Sequence, residues 1–414
     1  MLHQRNLWVG VVALALAASG SRGLGAQTRA TAQPRVAISM TVGFILEPGG
    51  TLKVWGNMGG SSPQMPEPAN NRMGLGHNNP VKSFALYPIP GVKDVVAISA
   101  TSTNAYAVLA DGRILAWGGH SNGALGNTTL AEFEARGQPQ LETPTPTPVA
   151  VRFDAVDVSA KDLHVLALAR DGSVWAWGRG DSGELGIGPL PTVNFRGSYP
   201  SVEKFVPYPV RIPNLQNVVA ISAGDRHSLA LLKDGTVRAW GLNRHGQVGD
   251  GTSTNRDVPM TVPGVRNVVA IAAGGYRSVA VLADGTVMEW GANHVNLTPR
   301  LTPAVLPGAR GIKSVVAGNE HVAAITETGQ VMTWGQDSHY QTGRGRSATA
   351  PGLVRDITGV SSVAAGGEST IAVLGSGQMM TWGHVPPSAS GKGMSQFPTA
   401  LVLDGLGAAP AAVR

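Results

Sequence analysis

Short apolar runs broken by Gly, Asp, Asn and Pro dominate the chain, and three follow one another at Val218 to Ser222, Ser228 to Leu232 and Thr236 to Trp240. The runs are rich in β-branched residues, and both of their faces are apolar or small. That pattern predicts short antiparallel strands buried between sheets rather than a sheet with one wet face. Asp234-Gly235, between the second and third runs, is a hairpin signal that predicts a type I′ turn with positive φ at both residues.

The same pattern recurs along the chain. Trp-Gly pairs begin at Trp55, Trp117, Trp177, Trp240, Trp290, Trp334 and Trp382, and a glycine stands five residues before each, at Gly50, Gly112, Gly172, Gly235, Gly285, Gly329 and Gly377. A fixed offset repeated this often marks a tandem unit. An upstream strand ends in Ala-Gly at Ala223, Ala273, Ala317 and Ala365, and a Leu-Gly after Trp-Gly recurs at Leu75, Leu125 and Leu185. Three or four short strands per unit predict one blade of a propeller. The fold class is all-β, a seven-bladed β-propeller. The repeated tryptophans are packing mass between blades, with the following glycine allowing close approach. The first strand, Val36 to Ser39, matches Val219 to Ser222, and Pro398 to Leu406 matches the segment from Pro259 to Val265. The two ends therefore predict closure of the ring by pairing of the N- and C-terminal strands.

The unit Val218 to Thr252, with Ala-Gly-x-x-His-Ser-Leu-Ala-Leu, Asp-Gly and Trp-Gly-x-Asn-x-x-Gly-Gln, resembles the regulator of chromosome condensation repeat. The resemblance covers about residues 36–406 and implies a seven-bladed ring. Blade one departs from it, with Met40-Thr41-Val42-Gly43 in place of Ala-Gly-x-x-His. Blade five departs too, running Ala292-Asn293-His294-Val295-Asn296 after Trp-Gly and losing Gly-Gln-Leu-Gly. Founding members of that family exchange nucleotide on a small GTPase and bind chromatin, and a secreted bacterial member caps β-lactamases. The fold alone does not choose among such roles.

Location narrows the choice. Arg5 followed by the apolar stretch Leu7 to Ala18 and small residues reads as an export signal over residues 1–26, then a linker at 27–35, the propeller at 36–406 and a tail at 407–414. The expected location is periplasmic or extracellular, with no membrane-spanning segment after signal removal. The chain has no cysteine, which excludes a disulfide framework, thiol catalysis and cysteine-bound zinc. The formal charge of +6 falls to +4 without Arg5 and Arg22, and no Lys/Arg block occurs, so nucleic acid is not an expected partner.

Candidate chemistry is sparse. Gly180-Asp181-Ser182-Gly183 resembles a serine-protease nucleophile tetrapeptide, but it fills the loop slot that reads Ser121-Asn122-Gly123 in one blade and Arg244-His245-Gly246 in another, and no matching His and Asp arrangement is visible. His164, His227 and His321 share one repeat position and are read as structural, bonding a neighbouring turn. His120, His245, His294, His339 and His384 follow Trp-Gly at varying offsets and are read as solvated loop residues rather than a metal ring. No catalytic residue, metal ligand or cofactor is assigned. Successive Trp-Gly spacings of 62, 60, 63, 50, 44 and 48 place extra sequence in the first three blades, in the stretches 59–72, 129–146 and 189–205. Long loops on a rigid ring carry specificity. Their Arg72, Phe133, Arg136, Phe195, Arg196, Tyr199 and Phe205 are the candidate partner contacts, of types that suit a protein interface. The expected function is an exported, monomeric, non-enzymatic scaffold that binds a protein or a surface polymer. The alternatives are a secreted enzyme inhibitor, a nucleotide-exchange regulator and a hydrolase.

Overall fold

The computed structural model describes residues 35–38, 42–56, 87–119, 121–129, 132, 142–195, 201–292, 298–345, 350–384 and 395–400. They form seven four-stranded antiparallel sheets, each built from one contiguous stretch of chain. Blade four shows the plan. Its inner strand Val218–Ala223 pairs with His227–Leu232, which pairs with Val237–Gly241, which pairs with the outer strand Arg256–Thr261. Inner strands of neighbouring blades touch one another around the axis, and their serines tie them together. Ala160 N donates to Ser99 Oγ (3.0 Å), Ala223 N to Ser159 Oγ (2.9 Å) and Ala273 N to Ser222 Oγ (2.9 Å).

The hairpin between second and third strands differs from the expected turn. Only Gly235 has positive φ (+77°), and Gly235 N donates to Leu232 O (2.9 Å). Asp234 keeps ordinary φ because its carboxylate is used locally, accepting from Thr236 N (2.9 Å) and Thr236 Oγ1 (2.6 Å). The connection is thus a three-residue loop with glycine in the left-handed position, a common hairpin alternative.

The core is seven separate cores, one per seam. Trp117 packs among Phe44, Leu46 and Val54 of the preceding blade, and Trp177, Trp240, Trp290, Trp334 and Trp382 repeat that insertion. All seven repeat tryptophans are 0–2% exposed. Their role as packing mass is what the repeat predicts.

Pairing of the N- and C-terminal strands with each other is not seen among the described residues. Arg35–Ile38 pairs with Val42–Leu46, and Ser395–Ala400 pairs with Met379–Gly383 of its own blade. Blade one instead lays Ile38, Ile45 and Trp55 against Ala364, Ile371, Val373 and Met379 of blade seven. Among the described residues the first strand is an inner one and the last an outer one, so the cut falls between blades.

Candidate functional site

The repeat histidines are sealed inside the seams. His164 Nε2 meets Ser228 Oγ (3.1 Å), His227 Nε2 meets Ser278 Oγ (3.0 Å) and His321 Nε2 meets Thr370 Oγ1 (2.7 Å), each partner lying in the next blade. Those hydroxyls donate onward to the carbonyls of Glu184, Gln247 and Gln341, and the same carbonyls accept the indole N–H of Trp240, Trp290 and Trp382. Burial pushes each imidazole down to about 3, so all three are neutral in the folded ring. Each histidine is one part of a clamp between blades.

The serine of Gly180–Gly183 belongs to the same machinery. Ser182 N donates to Glu184 Oε2 (2.7 Å), as His245 N and His339 N donate to Gln247 and Gln341 in their blades. Burial pushes the Glu184 carboxyl up to about 7. Three of the loop histidines lie among the described residues, and they fall in two separate places. His245 lies against Tyr276 with ring centroids 4.9 Å apart, whereas His339 and His384 share Glu368, at 3.7 Å and 3.0 Å. His120 and His294 lie outside the described residues, and among those described no three metal-type side chains are placed to hold an ion.

Arg72, Phe133, Arg136, Arg196 and Tyr199 lie outside the described residues. Phe195 ends the strand Val193–Phe195, whose hairpin with Ser201–Glu203 is separate from the blade sheets. Phe205 is not a contact residue: it opens the outer strand Phe205–Arg211 and is 3% exposed, because its ring packs inward where the strand rejoins the blade. All three insertions fall between a third strand and its outer strand: after Gly56, after Gly119 and after Arg179. Strand directions alternate identically in every blade, so these connections leave one edge of the ring, the edge where inner strands end.

Two groups were not anticipated. In blade five Arg277 takes the histidine position, 1% exposed, with Nη1 3.6 Å from Glu289 Oε2 and Nη2 donating to Glu320 O (3.3 Å). Glu289 Oε2 also accepts the indole N–H of Trp334 (2.9 Å). In blade three Lys161 stands where blades four to seven have glycine, and its Nζ donates across the axis to Ala317 O (3.2 Å) and Gly318 O (2.9 Å). Burial lowers the Lys161 pKa, with Asp225 opposing. Both were visible as departures from the repeat: an arginine for His, a glutamate for Ala or Thr, a lysine for Gly.

With this geometry in place, residues 51–406 match the RCC1-like domain. The chain belongs to the RCC1-like family. It is 31% identical to protein pim1 of Schizosaccharomyces pombe over 169 residues, 40% of this chain and 31% of that protein. It is 30% identical to the ultraviolet-B receptor UVR8 of Arabidopsis thaliana over 170 residues, 40% of this chain and 34% of the receptor. The match thus spans only about a third of these curated relatives. Among solved structures, yeast RCC1 (Prp20) bound to Kap60 aligns with a TM-score of 0.67 at 18% identity, covering 94% of this chain and 92% of that one. Human WBSCR16 aligns with a TM-score of 0.65 at 21% identity, covering 78% and 85%. At these identities the RCC1-like structures establish the ring and not a role.

Proposed function

We propose that this RCC1-like ring is an exported, monomeric, non-enzymatic scaffold that holds a protein, or a cell-surface polymer, on the edge where inner strands end. The observation that carries the reading is that the three longest connections, in blades one, two and three, all leave the ring at that edge. Adjacent blades present them side by side, as a loop-built binding surface on a rigid support requires. The repeat histidines and hydroxyls are consumed by the seams, which supports binding over chemistry there. One structural neighbour, yeast RCC1 (Prp20), was solved with a protein partner, Kap60. Export rests on the N-terminal pattern of Arg5 and the apolar stretch after it.

The test is affinity capture from the producing organism's envelope and medium. The baits are the intact chain and a variant whose three connections are cut to the length found in blade four. A partner held by the first and lost by the second is the expected result. Equal capture by both overturns the assignment of the surface, and an unprocessed N-terminus on protein recovered from inside the cell overturns export.

A further inference from the structure

The two mouths of the axial channel are built differently. Where inner strands end, a cavity of about 320 Å³ with a mixed polar and apolar lining is crossed by Lys161 on its way to blade six. Where inner strands begin, a larger recess of about 880 Å³ opens over blades three, four and five.

That recess owes its floor to a backbone device. The pairing of inner and second strands slips by one residue in six blades, leaving Val96, Val156, Val219, Val269, Lys313 and Ser361 outside the ladder. A bulge re-aims the side chain of the unpaired residue. Four consecutive blades place valine there and the next two place Lys and Ser, so one arc of the mouth is apolar and the other polar. The recess lies on the apolar arc, where Val156, Val219 and Val269 are joined by Leu168, Leu232 and Leu282. Among the described residues its lining holds no aromatic ring, which favours an aliphatic occupant over one that stacks.

Charge at the rim points the same way. Arg170, Lys233 and Arg266 border the recess, and among the described residues none of them forms an ion pair. The rim carboxylates are already engaged: Asp171 accepts from Ser173 (2.9 and 2.7 Å), Asp234 from Thr236 (2.9 and 2.6 Å) and Asp284 from Thr286 (2.9 Å). Each also feels one arginine away from the recess, Arg211, Arg238 and Arg310 respectively, so the carboxylates equal the rim cations in number but are held to other partners, which leaves Arg170, Lys233 and Arg266 to meet an anionic head.

We propose that this recess binds a small amphiphilic anion, an aliphatic chain bearing one carboxylate, phosphate or sulfate, with the chain on the Val156–Val219–Val269 floor and the head among Arg170, Lys233 and Arg266. The size and the mostly apolar lining are those of small-molecule sites. The site is on the opposite mouth from the proposed partner surface and does not depend on it.

The probe is dodecanoate below its micellar concentration, titrated calorimetrically into the full chain. Saturable one-to-one binding is expected, weakened by salt, with dodecyltrimethylammonium binding about ten-fold more weakly or worse. Val219→Asp should abolish uptake, and the exposed pair Arg170→Glu and Lys233→Glu should weaken it about ten-fold without touching the core. If Val219→Asp fails to fold, the charge-reversal pair alone decides. No saturable uptake, equal uptake of both head groups, or indifference to charge reversal each overturns the proposal. So does binding to phosphatidylglycerol vesicles with none to free dodecanoate, which would make the face a lipid-surface contact.

Discussion

The indole Nε1 of Trp334 donates to the carboxylate of Glu289 at 2.9 Å, whereas Trp177, Trp240, Trp290 and Trp382 donate to backbone carbonyls. The difference follows from sequence. Blade five lacks the Gly-Gln-Leu-Gly turn that supplies the carbonyl in its neighbours. A side-chain acceptor takes its place, and the acid this introduces is balanced by Arg277 in the histidine slot.

Removing that acid leaves both the buried guanidinium and the indole donor without it. Glu289→Ala should cost about 3–5 kcal/mol, the usual penalty for stranding one partner of a buried pair. Arg277→His with Glu289→Ala should recover a good part of this, since no buried charge remains. A double-mutant cycle on urea denaturation midpoints measures the coupling; additive losses would show that the two side chains act independently.

The clamp histidines make the ring acid-sensitive. Their folded pKa of about 3 lies below the unfolded value near 6.5. The unfolded chain therefore binds more protons between those limits, and stability is complete above about pH 6.5 and falls as pH drops toward 3. Blade two uses Asn104 at this position. His227→Asn should thus flatten the acid limb of a plot of melting temperature against pH, even if it lowers the melting temperature at pH 7. An unchanged acid limb would remove His227 from the account.

Glu184 acts in the opposite sense. Its carboxyl, pushed up to about 7, is protonated in the fold at pH 5 and sits where blades four and six have Gln247 and Gln341. A raised carboxyl pKa gives stability that is full below its unfolded value and is lost as pH rises through about 7. Glu184→Gln should therefore stabilise the ring at pH 8 by on the order of 2 kcal/mol and leave it nearly unchanged at pH 5. Melts of both proteins at the two pH values test this, and an equal shift at both would contradict it.

The ring was legible because seven tryptophans at one offset are one structural statement made seven times. What was misread had local physical reasons. The terminal strands were expected to pair, yet the alignment that placed the first strand on the axis and the last on the rim already put the cut between blades. Asp234 was given positive φ as a turn residue, although Thr236 two residues on offers it a hydroxyl and an N–H. Phe205 read as a loop aromatic because the outer strand resumes only at that residue after a long insertion. The bulge under Val219 leaves no mark in the sequence, since Val218 and Val219 look alike until the register shows that only one is paired.

Lys161 gives a prediction that reads dynamics rather than stability alone. It ties blade three to the turn of blade six through Ala317 O and Gly318 O, contacts 156 and 157 residues apart in sequence. The ammonium is largely withdrawn from water, so the hydrogen bonds offset a desolvation cost and the net stability of the tie is small. Its effect should instead be local. Lys161→Met keeps the volume and removes the donors, and it should speed amide exchange in the Ala317 to His321 turn while leaving the second strand of blade six protected. The Gly318 N–H is the best reporter, because it is bonded to His321 O at 2.9 Å and becomes exchangeable only when that turn opens. Exchange unchanged at Gly318 would mean that the turn is held by its own bonds and that Lys161 merely fills the mouth of the channel.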